Sequence, residues 1–177
     1  GIALVFQTFA LMPWLTVQDN VELGLKARGV PKAKRTKLAL DAIDMIGLDG
    51  FESAYPKELS GGMRQRAALI RTLALEPDLL LLDEPFSALD YQTRLAVCDD
   101  ISSIIRGTKK TAVLITHDLS EAVSVADRII ILSKRPGRIK AILPVKFSKP
   151  RLGPLSRRNA PEFSGYFKQV WNILENR

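Results

Sequence analysis

The stretch LLLLDEP at residues 79–85 decides the fold. Its four leucines form a short apolar run that ends in Asp83, which is typical of a strand covered on both faces. Similar strand patterns recur at 2–6, 111–116, 128–132 and 139–145. Helical patterns separate most of these strands, and the alternation predicts an α/β domain with a largely parallel sheet.

The segment between the first two strands, residues 17–76, follows helical patterns. We therefore predict a helical subdomain at 17–76, inserted into an α/β core that is formed by 1–16 and 77–145. The remaining residues, 146–177, form a basic tail with an amphipathic helix. Its apolar stripe consists of Phe163, Tyr166, Phe167, Val170, Trp171 and Leu174. We expect this stripe to pack in a core rather than to bind a partner.

The charge of the chain is concentrated near its end. Residues 134–177 carry 11 basic and 2 acidic side chains, which gives +9 of a net charge of +7, so residues 1–133 sit at −2. Anionic lipid headgroups, nucleic acid and a solvated basic face are all compatible with this excess. No apolar run reaches the roughly 18–20 residues that cross a bilayer.

Polar side chains follow three of the predicted strands. Gln7 follows the first strand, Asp83 and Glu84 end the 79–83 strand, and His117 comes after the 111–116 strand. Because parallel strands place their carboxyl ends at one edge, ligands bind there. Asp83 can hold Mg²⁺ while Glu84 orients and deprotonates an attacking water. The alternatives are an acidic turn and a lone structural histidine.

Ser60, Gly61 and Gly62 stand at the predicted start of a helix. Glycines let backbone N–H groups approach an anion closely, and the helix dipole favours negative charge at that end. An ordinary serine N-cap followed by flexible glycines is the alternative.

These motifs together resemble the ABC (ATP-binding cassette) ATPase family. The matching stretches are Gln7 (Q-loop), LSGGMRQR at 59–66 (signature), LLLLDEP at 79–85 (Walker B), SALD at 87–90 (D-loop) and His117 (H-loop). The resemblance implies a sheet of the P-loop NTPase type, with ATP and Mg²⁺ as ligands. It also implies the ATP-hydrolysing subunit of a transporter.

The same resemblance implies a role for each motif. Gln7 would help to ligate Mg²⁺, beside Asp83, and His117 would contact the γ-phosphate. Residues Ser60, Gly61 and Gly62 would bind the γ-phosphate of ATP held by a second ATPase subunit, in a head-to-tail homodimer. Asp90 would shape that dimer interface.

Three further stretches are similar to the nitrate, sulfonate and taurine importer ATPases. They are LMPWLTVQDNV at 11–21, RPGRI at 135–139 and PEF at 161–163. This similarity implies transmembrane permease subunits as partners and, indirectly, a periplasmic or lipoprotein solute-binding protein. It implies a peripheral location at the cytoplasmic face of the bacterial inner membrane, and no nucleic-acid partner.

The P-loop, Gly-x-x-x-x-Gly-Lys-Ser/Thr, is not in this sequence, since none of its 11 glycines precedes a lysine. We therefore expect a truncated subunit with an incomplete core, inactive and poorly folded alone. A non-catalytic docking fragment is an alternative. A DNA-associated ATPase is a weaker one, because the 52 residues between Gln7 and Ser60 contain no sustained heptads.

Overall fold

The computed structural model describes residues 1–5, 11–87, 89–149 and 152–175, so the predicted Q-loop residue Gln7 lies outside the described residues. The chain forms two compact units, Gly1–Ile115 and Thr116–Arg177. The division into core, helical subdomain and tail stays a prediction.

A parallel sheet is the centre of the first unit. Its strands β1 (Ile2–Val5), β2 (Leu79–Asp83) and β3 (Thr111–Ile115) lie in the order β1-β2-β3. Helix α4 (Tyr91–Thr108) connects β2 to β3, as a parallel crossover requires. The predicted α/β class with a parallel sheet is confirmed.

Burial of the two apolar strands differs from the prediction. In β2 the side chains of Leu80 and Leu82 are buried, whereas in β3 Val113 and Ile115 are 45% and 53% exposed. Apolar side chains of β3 are therefore left uncovered, although the sequence predicts a strand that can be covered on both faces. Within the described residues β3 pairs only with β2, so it is one of the two outer strands of this sheet.

Three helices pack together beside the sheet: α1 (Val17–Ala27), α2 (Lys32–Met45) and α3 (Gly61–Leu73). A 3₁₀ turn, Pro56–Glu58, precedes α3. The predicted helical pattern of 17–76 is first interrupted at Gly29, where the chain turns with φ +73°. The apolar core of these helices includes Val17, Val21, Ala39, Ile43, Leu69 and Ile70.

Asn20 has a structural role in the 11–21 stretch. Its side chain is fully buried, and Oδ1 accepts a hydrogen bond from the Met12 N–H at 2.8 Å. Nδ2 donates to the carbonyls of Met12, Leu15 and Thr16 at 3.0–3.2 Å. One side chain thus satisfies four backbone groups and fastens the 12–16 loop to α1.

The second unit contains an antiparallel strand pair and three helices. Its elements are α5 (Leu119–Val125), β4 (Arg128–Leu132), β5 (Ile139–Pro144), α6 (Pro154–Arg158) and α7 (Pro161–Glu175). Strands β4 and β5 form their own two-stranded sheet. The pair is antiparallel because the short connection at 133–138 reverses the direction of the chain.

The stripe of α7 packs in part. Val170 is buried with Val123, Ile129, Ile131 and Val145, and Phe163 and Tyr166 pack against this cluster. Trp171 and Leu174 are 51% and 42% exposed, so the prediction that the whole stripe is core is wrong for these two residues. In the described part of the chain no helix has the length and apolar character needed to cross a membrane.

Candidate functional site

Two carboxylates stand at the carboxyl end of β2, where the sequence predicts them. Asp83 is the last residue of the strand, pairs in register with Ile115 of β3, and is half-buried. Glu84 follows and donates its N–H to the Ile115 carbonyl at 2.9 Å. The sheet therefore fixes the backbone of both acidic residues at an edge where ligands of parallel sheets bind.

Glu84 has an unfavourable backbone conformation. Its φ is +43°, in the left-handed region, which costs a non-glycine residue about 1–3 kcal/mol. Its carbonyl accepts from the N–H and the hydroxyl of Ser87, at 3.3 and 3.1 Å. The next carbonyl, that of Pro85, accepts from Nε2 of Gln65 in α3. These bonds maintain the turn in spite of its cost.

The Ser60 side chain caps α3. Its Oγ accepts a hydrogen bond from the Met63 N–H at 3.2 Å, and the residue is exposed. The ordinary N-cap that the sequence allows as an alternative is therefore present. It leaves the first-turn amides of Gly61 and Gly62 without partners inside the helix, as in any α-helix.

At positions 61 and 62 a residue larger than glycine would come close to neighbouring side chains. A Cβ on Gly62 would lie 2.9 Å from Cγ2 of Val97 in α4, and a Cβ on Gly61 would lie 3.3 Å from Cδ2 of Leu89. The start of α3 thus touches the segment that follows β2 at two points. Sequence reasoning considered anion approach and flexibility and missed this contact, because nothing in the local pattern connects residue 62 with residue 97.

Asp90 caps α4. Its Oδ1 accepts from the Thr93 N–H at 3.0 Å, and hydrogen bonds from the Thr93 side chain and backbone hold the pKa of the Asp90 carboxyl below its usual value. The carboxylate is exposed. A place at a dimer interface stays a prediction for this residue.

His117 belongs to the second unit and is exposed. Its two neighbours are fixed at the start of α5: Thr116 Oγ1 donates to Glu121 at 2.7 Å, and Asp118 Oδ1 accepts from the Ser120 N–H at 2.8 Å. The histidine therefore lies between two residues that hydrogen bonds fix at the start of α5. Its contact with a phosphate stays a prediction.

Within the described ranges no three His, Cys, Asp or Glu side chains form a metal-binding group. Magnesium at phosphate-transfer sites commonly uses only one or two protein carboxylates, with the phosphates and water supplying the other oxygens. The half-buried carboxylate of Asp83 at a strand end fits that kind of ligation.

Comparison with known proteins gives one consistent family. The family described as "ABC transporter" matches residues 1–87. The chain is 47% identical to the uncharacterized ABC transporter ATP-binding protein MJ0412 of Methanocaldococcus jannaschii, over 98% of this chain and 63% of that protein. It is 46% identical to the taurine import ATP-binding protein TauB of Rhizobium johnstonii and 41% identical to the nitrate import ATP-binding protein NrtD of Synechocystis sp., over 98% of this chain and 67% of each relative.

A solved structure agrees. It is the dimeric post-hydrolysis state of the ATP-binding cassette MJ0796 bound to ADP and Pi. The TM-score is 0.65 at 35% identity, and the match covers 82% of this chain and 63% of that one.

This chain belongs to the family of ABC transporter ATP-binding proteins, as its motifs predict. It spans 63–65% of the length of MJ0412 and of a putative ATP-binding protein from Brucella abortus.

The packing of Gly62 can be tested by a double-mutant cycle. Gly62→Ala should lower the free energy of unfolding by about 1–3 kcal/mol, because the stiff, β-branched Val97 cannot withdraw from the added methyl group. In the Val97→Ala background the same substitution should cost little. Urea denaturation of the four proteins gives the coupling energy.

The matched control is Gly107→Ala in α4, where an added Cβ meets nothing within 4 Å. This change should be neutral or slightly stabilising, since alanine favours helix. Equal costs of Gly62→Ala with and without Val97 would show that the two helices are not in close contact here.

Proposed function

We propose that this chain forms part of an ATP-hydrolysing subunit that powers an ABC importer. The proposal rests on the pair Asp83–Glu84 at the carboxyl end of β2. Glu84 has an unfavourable left-handed conformation. Three hydrogen bonds to its own backbone groups and one to the carbonyl of Pro85 hold it there. Strain of this kind concentrates at functional sites.

The two carboxylates would divide the work. Asp83 supplies a hard oxygen ligand for Mg²⁺, which neutralises phosphate charge when bound. Glu84 orients the attacking water and accepts its proton. His117 would contact the γ-phosphate, and Gln7 would contribute a further oxygen to the metal.

A second ATPase subunit would complete the site. Ser60 is exposed at the start of α3, where backbone amides and the helix dipole favour an anion. Gly62 has no side chain and is buried at the start of α3, so only its backbone N–H could meet a phosphate. In a head-to-tail homodimer Ser60, Gly61 and Gly62 would bind the ATP of the partner, and Asp90 would lie at the interface. The dimeric state of the solved relative supports the presence of a second ATPase subunit.

The transported solute would be a small anion such as nitrate, a sulfonate or taurine. The support comes from relatives that are named for nitrate import and taurine import. Transmembrane permease subunits would bind the ATPase at the cytoplasmic face of the membrane, and a solute-binding protein would deliver the anion to them.

Glu84→Gln tests the general-base role. The assay needs a phosphate anchor, so it uses a fusion that places the P-loop segment of a relative before Gly1. The amide fills the same space but accepts no proton, so kcat should fall about 10²–10⁴-fold while ATP still binds. Steady-state ATPase kinetics and ATP titration of the fusion measure the two effects.

Glu76→Gln is the matched control. Glu76 also has a positive φ, +51°, but it is exposed and precedes β2. Its substitution should leave kcat unchanged. If Glu84→Gln kept more than about a tenth of the parent kcat, Glu84 would not be the general base.

A non-catalytic docking role is the second candidate, because the 177 residues contain no P-loop motif. Without that loop the triphosphate has neither its amides nor its lysine as a binding site. We expect millimolar MgATP to bind the 177-residue polypeptide negligibly and to bind the P-loop fusion well. Isothermal titration calorimetry makes the comparison, and micromolar affinity of the unfused polypeptide would refute the need for the loop.

A further inference from the structure

The contact between α3 and the turn after β2 depends on one buried side chain, Gln65. It is 2% exposed, and its Nε2 donates to the Pro85 carbonyl. Its Oε1 has no hydrogen-bond partner among the described residues. A buried amide that is only half satisfied is unfavourable. The donor bond to Pro85 is therefore the feature that a glutamine supplies here and an apolar residue would not.

The acceptor of this hydrogen bond is the backbone carbonyl directly after Glu84. Pro85 has no N–H and a fixed φ, so its carbonyl is its one polar backbone group. That carbonyl follows directly after Glu84, whose own N–H and carbonyl are bonded to β3 and to Ser87. Gln65 thus adds an anchor from a separate helix to a residue that the sheet and the turn already constrain.

The same helix begins at the proposed phosphate contact. Ser60 caps α3, and Gly62 stands three residues before Gln65 on the same helical face. Gly61 and Gly62 lie close to Leu89 and Val97. These two contacts and the Gln65–Pro85 bond join the start of α3 to the segment 85–97. A displacement of the start of α3 would therefore distort the hydrogen bond from Gln65 to the Pro85 carbonyl.

We infer that Gln65 is a positioning residue for Glu84, which it holds in the left-handed conformation through the Pro85 carbonyl. A phosphate that binds at Ser60 from the second subunit would act, through α3 and Gln65, on the general base of this chain. The second statement rests on the proposed function of Ser60 and Glu84, whereas the first does not.

The positioning role is tested in the full chain without nucleotide. Gln65→Met keeps the volume and removes the donor. Amide hydrogen exchange, followed by NMR, should be about tenfold faster at Glu84 and Ser87 than in the control Thr72→Val. Thr72 is also buried in α3 and also loses one hydrogen bond, from its Oγ1 to the Ala68 carbonyl at 3.2 Å, but that bond stays within the helix.

Gln65→Asn is the second variant, in case Gln65→Met does not fold. It keeps the amide but shortens the side chain by one methylene, so exchange at the same two amides should accelerate in the same direction. Equal exchange at Glu84 and Ser87 in the Gln65 and Thr72 variants would overturn the inference.

ATP turnover of the P-loop fusion tests the coupling. Gln65→Met should lower kcat about tenfold with the KM for ATP unchanged, because a misplaced base slows the chemistry but not nucleotide binding. Thr72→Val should leave both constants as in the parent. A kcat for Gln65→Met equal to that of Thr72→Val would overturn the coupling. A parent fusion without any turnover would refute the proposed function instead, and hydrogen exchange would still decide whether Gln65 positions Glu84.

Discussion

The turn at the end of β2 is the constraint on which the rest of the first unit depends. The chain must leave the sheet at once while keeping two carboxylates at its edge. Glu84 makes this turn with φ +43°; β3 and Ser87 bond its own N–H and carbonyl, and α3 bonds the carbonyl of the next residue, Pro85. The sheet register, the start of α3 and the close approach of α3 to α4 all meet at this place.

Several motif residues have a structural role in addition to any chemical one. Ser60 and Asp90 cap helices, Gly62 allows α3 to approach α4, and Asn20 fastens the 12–16 loop. Substitutions at these positions therefore change stability as well as any nucleotide contact. Variants that are meant to report on catalysis therefore need a measurement of their stability beside the kinetic one.

The sequence predicted the α/β class and the place of Asp83 and Glu84, because a continuous apolar run marks where a strand ends. It could not predict the left-handed φ of Glu84, the Gln65–Pro85 bond or the contact of Gly62 with Val97. These features arise from residues far apart in the chain that only the tertiary structure brings together. Strand patterns also do not tell parallel from antiparallel pairing, so the sequence predicted the strands at 128–132 and 139–145 but not how they pair. The apolar sequence of β3 shows what the strand can bury, not what covers it.

The central claim is that Glu84 is held in an unfavourable backbone conformation. The most direct test compares the unfolding free energies of Glu84→Gly and Glu84→Ala, which both remove the carboxylate. Glycine adopts a positive φ without penalty, so the glycine variant should be the more stable of the two by about 1–2 kcal/mol in urea denaturation. An alanine variant as stable as the glycine variant, or more stable, would contradict the claim, because alanine is favoured where φ is negative.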